Sequence, residues 1–157
     1  MSQEERTYRL PFEIGDSSTF TKTIAECDIY QFAGTTGDFS QMHTNEAFMK
    51  TTKYKTRMAH GMLTFSIGVT ATTLIQIQAK SPMPSVSYGF DRVRFIRPVF
   101  PGDTVTAVYT ITGLDEANLK SYGKLEIFNQ KQEIVAAAVH ILKFFPLEET
   151  GGPDPAG

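Results

Sequence analysis

Apolar and polar positions divide the chain into a helical part, from about residue 26 to 79, and a strand-forming part, from about 84 to 145. In the helical part, three apolar residues recur at the spacing of one helix face: Ile29, Phe32 and Ala33. This first helix is expected to end at residues 34–37, a Gly-Thr-Thr-Gly run. Asn45 suits the N-cap of a second, short helix.

The third predicted helix is the longest and begins just after His60. Its apolar residues cover all sides instead of one stripe: Met62, Leu63, Phe65, Ile67, Val69, Ala71, Leu74, Ile75 and Ile77. A helix that is apolar all round is typically buried, so we expect a second layer of protein to enclose it. Polar residues interrupt the run before it reaches the roughly 18 apolar residues of a membrane span, so no membrane association is expected.

The second half of the chain supplies that layer. Four segments have the pattern of strands: 86–96, 105–111, 122–128 and 134–145. Residues 19–24 are a candidate entry strand before the helices, and Pro98 and the Pro-Gly-Asp run at 101–103 have turn chemistry. Strands in sequence joined by short turns predict an antiparallel sheet. The predicted fold class is therefore α+β, with the sheet wrapped around the long helix.

Length and charge narrow the classes of function. The 157 residues correspond to one domain, expected at residues 1–147, and the polar tail at 148–157 is expected to be disordered. Fifteen basic and 17 acidic residues give a net charge of −2, without the basic excess that binds a phosphate backbone, so no nucleic-acid partner is expected. The polar N-terminus lacks the apolar run of a signal peptide, which favours a cytoplasmic protein.

Cysteine and histidine are scarce. The single cysteine, Cys27, excludes an internal disulfide and a cysteine-rich zinc site. Three histidines leave little room for a metal site, so no metal is expected. His140 alternates with apolar residues on one strand face and is interpreted as a hydrogen-bonded structural histidine. His60 is interpreted as a structural residue that bonds the neighbouring loop.

Most of the candidate chemistry lies in residues 37–63. Asp38 and His43 lie five positions apart in a predicted loop, and Gly61 lies at the start of the long helix. A carboxylate and an imidazole in one loop can hold a water, and one of them can act as a base near neutral pH. The free N–H groups of a helix N-terminus can stabilise a developing oxyanion. This combination suits addition of water to an activated double bond or hydrolysis of an ester, although an Asp–His pair alone is more typical of an aspartate that caps a turn and a half-buried histidine bonded to the backbone.

Three segments occur in a recognisable order. They are Gly37-Asp38 followed by His43, the AHGML run at residues 59–63, and the RPVFPGDTV run at residues 97–105. Together they resemble the (R)-specific enoyl-CoA hydratase, or MaoC-like dehydratase, family of hot dog folds, over residues 10–145. The resemblance implies that Asp38 and His43 hold the water that attacks C3 of a trans-2-enoyl-CoA and return a proton to C2. It also implies that the Gly61 N–H binds the thioester oxygen.

The resemblance also suggests residues that contact the substrate. Five are candidates: Ser40, Gln41, Arg57, Met62 and Arg94. Gln41 departs from the family, which usually has proline before the histidine, and adds a polar group near the water. Arg57 ends a basic cluster that also holds Lys50, Lys53 and Lys55, and could meet the phosphates of coenzyme A or an acidic carrier protein, or form a solvated loop. Coenzyme A enters only as part of the substrate, and no other cofactor is implied.

The resemblance further implies a homodimer or a dimer of dimers, in which two sheets join and each active site lies near the interface. Two other functions stay open. The chain could be a hot dog acyl-CoA thioesterase, or a non-catalytic acyl-CoA binding module. An acyl carrier protein could replace coenzyme A as the carrier of the substrate. The length, branching and polarity of the acyl chain are not indicated.

Overall fold

The computed structural model describes residues 8–147. In chain order its elements are β1 (Ser17–Thr23), α1 (Glu26–Thr36), α2 (Gln41–Thr44), α3 (Glu46–Lys50), α4 (Gly61–Ala79), β2 (Ser85–Phe95), β3 (Thr104–Asp115), β4 (Lys120–Phe128) and β5 (Ile134–Phe144). The α+β class is confirmed, and so are the predicted strands to within a few residues. Asn45 caps α3 as predicted, because its side chain accepts the Phe48 N–H at 3.0 Å. The tail at 148–157 and residues 1–7 of the predicted domain lie outside the described residues.

The five strands form one antiparallel sheet in the order β1-β3-β4-β5-β2. Strand β2 therefore lies at one edge of the sheet and pairs with β5. Two strands, β4 and β5, separate it from β3, the strand that follows it in the chain. A simple series of neighbouring strands was expected, because residues 96–103 have the composition of a tight turn. They instead carry the chain back across the sheet, and on the way the Val99 carbonyl accepts the Ala59 N–H at 2.7 Å. This bond ties the crossing segment to the residues just before α4.

Helix α4 lies across one face of the sheet and contacts β1, β3, β4 and β5. The absence of a side chain at Gly68 permits this close approach. A Cβ atom built there would lie 2.7 Å from the Leu125 side chain, well inside ordinary contact distance. The inner face of the sheet is apolar at alternate positions, as the period of a strand requires. The buried residues of β3 show this pattern: Val105, Ala107, Tyr109 and Ile111.

The expectation that α4 is enclosed on all sides is wrong for the described chain. Three apolar side chains stay exposed along its outer face: Met62 at 52%, Val69 at 38% and Ile77 at 65%. The reason is that a single sheet covers only one side of a helix. By length and mean hydropathy alone α4 would also pass as a membrane-spanning helix, a property that core helices share.

His140 on β5 is fully buried and hydrogen-bonded through both ring nitrogens, as the sequence predicted. Its Nε2 lies 2.8 Å from the Ser87 hydroxyl, and its Nδ1 lies 3.1 Å from the Tyr109 hydroxyl. The ring also stacks on Phe90, with centroids 4.5 Å apart. Burial disfavours the charged imidazolium and lowers the pKa of His140 from 6.5 to about 4.

This shift predicts a loss of stability in mild acid. Below about pH 6.5 the His140 ring takes up a proton in the unfolded chain, whereas in the folded protein it stays neutral down to about pH 4. The contribution of the buried neutral ring to the free energy of unfolding is therefore fully present above about pH 6.5 and is lost as the pH falls toward 4. We expect the free energy of unfolding to drop by roughly 3 kcal/mol over that range because of His140. Urea denaturation of the wild type and of His140→Gln at pH 7 and pH 4.5 measures the difference. Equal pH dependence in the two proteins would contradict the prediction.

Candidate active site

The site begins where α1 ends. Helix α1 ends at Thr36, within the predicted run at residues 34–37, and the hydroxyls of Thr35 and Thr36 bond back to carbonyls four residues earlier. Gly37 then takes the left-handed conformation, with φ of 81°, and its N–H bonds the Ala33 carbonyl. Glycine adopts this conformation without steric cost. The turn leads directly into Asp38.

His43 lies on α2, a single helical turn in a segment that the sequence predicted as loop. Its ring Nδ1 is 2.7 Å from the Met58 carbonyl oxygen. A carbonyl only accepts hydrogen bonds, so in the neutral ring the proton sits on Nδ1 and the lone pair sits on Nε2. The bond therefore fixes the tautomer in which Nε2 can accept a proton.

Asp38 lies beside this histidine. Its side chain is 53% exposed, and one carboxylate oxygen accepts the Ser40 N–H at 3.2 Å. Asp38, His43 and His60 each place one oxygen or nitrogen within 4.8 Å of the others. The Asp–His pair that the sequence singled out is thus close enough to share a water.

His60 contacts both Asp38 and His43. Its Nε2 is 2.9 Å from the Asp38 carbonyl oxygen, and its ring stacks on His43 with centroids 3.7 Å apart and planes inclined by 27°. The bond to the loop agrees with the structural interpretation made from the sequence. The spacing of the three side chains is also that of metal ligands. His43 Nδ1 and His60 Nε2, however, each donate to a carbonyl oxygen in the neutral rings, so these two nitrogens offer no lone pair to an ion.

Gly61 begins α4, and in residues 8–147 its backbone N–H has no hydrogen-bond acceptor. This is the expected state of the first N–H groups of a helix, where the dipole also favours negative charge. Glycine at this position also has a steric reason, since a Cβ atom here would lie 2.8 Å from the Phe95 ring.

A cavity of about 280 Å³ extends between His43 and Gly61. It is lined by Met42, His43, Tyr54, Met58, Ala59, Gly61, Thr64, Phe95, Ile96, Arg97, Pro98, Val99, Val135 and Ala136. The lining holds both His43 and Gly61, while Asp38 lies next to His43 outside it. Tyr54, which sits within the predicted basic cluster, was not singled out from the sequence. Arg97, which opens the RPVFPGDTV run, was considered with Arg92 and Arg94 as a possible contact to coenzyme A, and of these three it is the one that lines the cavity.

The five predicted substrate contacts do not line this cavity in the described chain, and their roles stay predictions. Ser40 and Gln41 belong to the turn of α2, where the Ser40 carbonyl accepts the His43 N–H and Gln41 bonds Asn45. Met62 points outward from α4. Arg94 is exposed and donates to the carbonyl of the preceding residue at 2.8 Å.

Arg57 is held by acidic partners of its own chain. It bonds the Glu46 carboxylate through its guanidinium at 3.2 Å and through its backbone N–H at 3.0 Å, and it also bonds Glu26 and Tyr30. Hydrogen bonds from Arg57 keep the pKa of Glu46 below its usual value, and the bond from the Arg57 backbone N–H has a larger effect than the one from its guanidinium. A coenzyme A phosphate would have to compete with both carboxylates for this side chain.

The chain is similar to a family of known proteins. A family model described as MaoC like domain matches residues 11–130. An (R)-specific enoyl-CoA hydratase from Rhodospirillum rubrum is 45% identical over 100 residues, which cover 64% of this chain and 66% of that enzyme. The enzyme of the same name from Aeromonas caviae is 28% identical over 133 residues, which cover 83% and 94%. The solved structure of an (R)-hydratase from A. caviae involved in PHA biosynthesis superposes with a TM-score of 0.74 over 84% of this chain and 96% of that one.

The architecture is thus a hot dog fold, and both the fold and the resemblance predicted from the sequence are confirmed. With a family model that matches most of its length, the chain belongs to the MaoC-like domain family.

Proposed function

We propose that this chain catalyses the reversible hydration of trans-2-enoyl-CoA to (R)-3-hydroxyacyl-CoA. One observation carries the proposal: a histidine with a free Nε2 lone pair, adjacent to a carboxylate, lines the same cavity as the unpaired N–H of Gly61. The (R)-specific enoyl-CoA hydratases named above support the reaction and its stereochemistry.

The reaction follows from these groups. The Nε2 atom of His43 takes a proton from a water held between His43 and Asp38 while the water oxygen bonds to C3. The electron pair of the double bond moves through C2 to the thioester oxygen. There the Gly61 N–H and the positive end of α4 stabilise the enolate. The proton then passes to C2, the enolate collapses to the thioester, and no net proton is gained or lost.

The stereochemistry gives a direct test. Incubation with (R)- and (S)-3-hydroxybutyryl-CoA is expected to yield the enoyl product from the (R) isomer only. Dehydration of the (S) isomer at a similar rate would contradict the assignment. The same assay with a carrier-protein thioester decides between coenzyme A and an acyl carrier protein as the carrier.

We propose that the reaction needs no metal ion, since Gly61 and the helix dipole supply the electrophilic stabilisation. Prolonged dialysis against a chelator is therefore expected to leave kcat/KM for crotonyl-CoA unchanged. The control is the same dialysis followed by added Zn²⁺ or Mg²⁺. A loss of activity that one of these ions restores would contradict this part of the proposal.

We also propose that the active form is a homodimer. The apolar outer face of α4 and the unpaired outer edge of β2, where Tyr88 and Phe95 are exposed, would both be covered by a second copy of the chain. An unpaired strand edge offers free backbone groups to another strand. Light scattering coupled to size exclusion is expected to give at least twice the chain's mass, and a monomer at micromolar concentration would contradict this.

A further inference from the structure

We propose that His60 is a positioning residue for this reaction, which fixes the Asp38–His43 pair relative to the oxyanion donor Gly61. The proposal rests on the proposed hydratase function. His60 is not among the residues that line the cavity. It contacts both members of the pair, and it is the residue immediately before Gly61 in the chain.

The first contact sets the place of Asp38. Asp38 is half exposed, and its other hydrogen bonds reach only two residues away: its N–H donates to the Thr36 hydroxyl, and its carboxylate accepts the Ser40 N–H. Among residues 8–147, the His60 Nε2–H to the Asp38 carbonyl is the one hydrogen bond that ties Asp38 to a distant part of the chain. Without it, Asp38 itself would keep hydrogen bonds only to residues of its own turn.

The second contact sets the plane of His43. The His60 ring stacks on the His43 ring at 3.7 Å, and Phe32 lies on His60 at 4.9 Å. The Met58 carbonyl holds one edge of the His43 ring, and His60 supports its face. When His43 takes up a proton during the reaction, its imidazolium lies over an aromatic ring, an arrangement that favours the cation.

The stability of the fold does not account for an imidazole at this position. His60 is only 3% exposed, and its Nδ1 atom has no hydrogen-bond partner in the described chain. A buried polar atom without a partner is destabilising, and an apolar side chain of similar size would avoid that cost. We therefore attribute the presence of histidine at this position to its Nε2–H group, which donates to the Asp38 carbonyl oxygen.

The two histidines must then hold opposite tautomers. His43 donates from Nδ1 to Met58, whereas His60 donates from Nε2 to Asp38, and both acceptors are carbonyl oxygens. Nitrogen-15 NMR of the wild-type protein above pH 7 is expected to show the Nδ1–H form for His43 and the Nε2–H form for His60. A His60 ring protonated on Nδ1 would overturn the proposal without any substitution.

Two variants of equal side-chain length test the donor. His60→Gln keeps an N–H that can reach the Asp38 carbonyl, and His60→Met removes it. We expect the Met variant to lose about 10- to 100-fold in kcat with KM changed less than about 3-fold, since misplacing a catalytic group lowers turnover more than binding. The Gln variant should recover most of that loss. Equal activity of the two variants would overturn the proposal.

A double-mutant cycle separates positioning from general damage. If His60 acts through Asp38, then His60→Met added to Asp38→Asn lowers kcat by less than about 2-fold further, because the contribution of Asp38 is already gone. Fully additive losses both in this cycle and in the matching cycle with His43→Gln would contradict the proposal. Circular dichroism verifies folding, and if His60→Met does not fold, the wild-type tautomers decide.

Failure of this proposal is distinguishable from failure of the proposed function. Near-wild-type turnover in both Asp38→Asn and His43→Gln would contradict the hydratase mechanism itself. Low activity in Asp38→Asn, combined with wild-type activity in His60→Met, would remove only the role of His60.

Discussion

Replacing His43 by glutamine is expected to lower kcat for hydration of crotonyl-CoA by at least ~100-fold, because no group then takes the proton from water. Glutamine resembles the imidazole in size and can still donate to the Met58 carbonyl, so the fold should be kept. Asp38→Asn should cause a loss of similar size, since the amide has the shape of the carboxylate without its charge. Steady-state kinetics measures both, with circular dichroism as the test of folding.

The matched control is Glu13→Gln, which neutralises another exposed carboxylate outside the cavity lining. Its kcat should equal that of the wild type. Near-wild-type turnover in both Asp38→Asn and His43→Gln would contradict the mechanism. A loss in only one of them would show that this residue alone handles the proton.

The second large effect is on stability. Gly123→Ala on β4 is expected to lower the free energy of unfolding by about 3 kcal/mol, as overpacking of a full core does. A Cβ there would lie 2.1 Å from Cζ of the Tyr109 ring and 2.2 Å from its hydroxyl oxygen. Tyr109 is fully buried and its hydroxyl bonds His140, so the ring cannot move aside without leaving Nδ1 of that histidine unpaired.

The paired strand β3 offers a control. Gly113 faces Tyr122 on β4, but a Cβ there would meet its nearest atom at 3.5 Å, an ordinary contact. Gly113→Ala should therefore change the free energy of unfolding by less than about 1 kcal/mol. Urea denaturation of the two variants measures the difference. Equal effects would show that Tyr109 moves freely.

Local features of the fold could be predicted from the sequence because they depend on local patterns. Asn45 at the cap of α3 and the start of α4 after His60 follow from capping chemistry and periodicity. The pairing of β2 with β5 could not, because it joins segments far apart in the chain. The exposed face of α4 was missed for a related reason, since an apolar residue does not reveal whether its own chain or another one covers it.

In the candidate site, too, the features set by short segments could be predicted and the contacts between distant residues could not. The motif placed Asp38, His43 and Gly61 correctly in one neighbourhood, because short segments of the chain carry them. It did not reveal that Arg57 is bonded by Glu26 and Glu46, since ion pairs depend on where distant side chains end.

The central claim is that this chain adds water to an enoyl thioester and leaves the thioester intact. Crotonyl-CoA is the decisive substrate, with the enoyl absorbance and the free thiol followed in the same sample. We predict loss of the enoyl absorbance, (R)-3-hydroxybutyryl-CoA as the product and no release of thiol. Release of coenzyme A while the double bond persists would contradict the account and indicate a thioesterase, and binding without either change would indicate a non-catalytic acyl-CoA module.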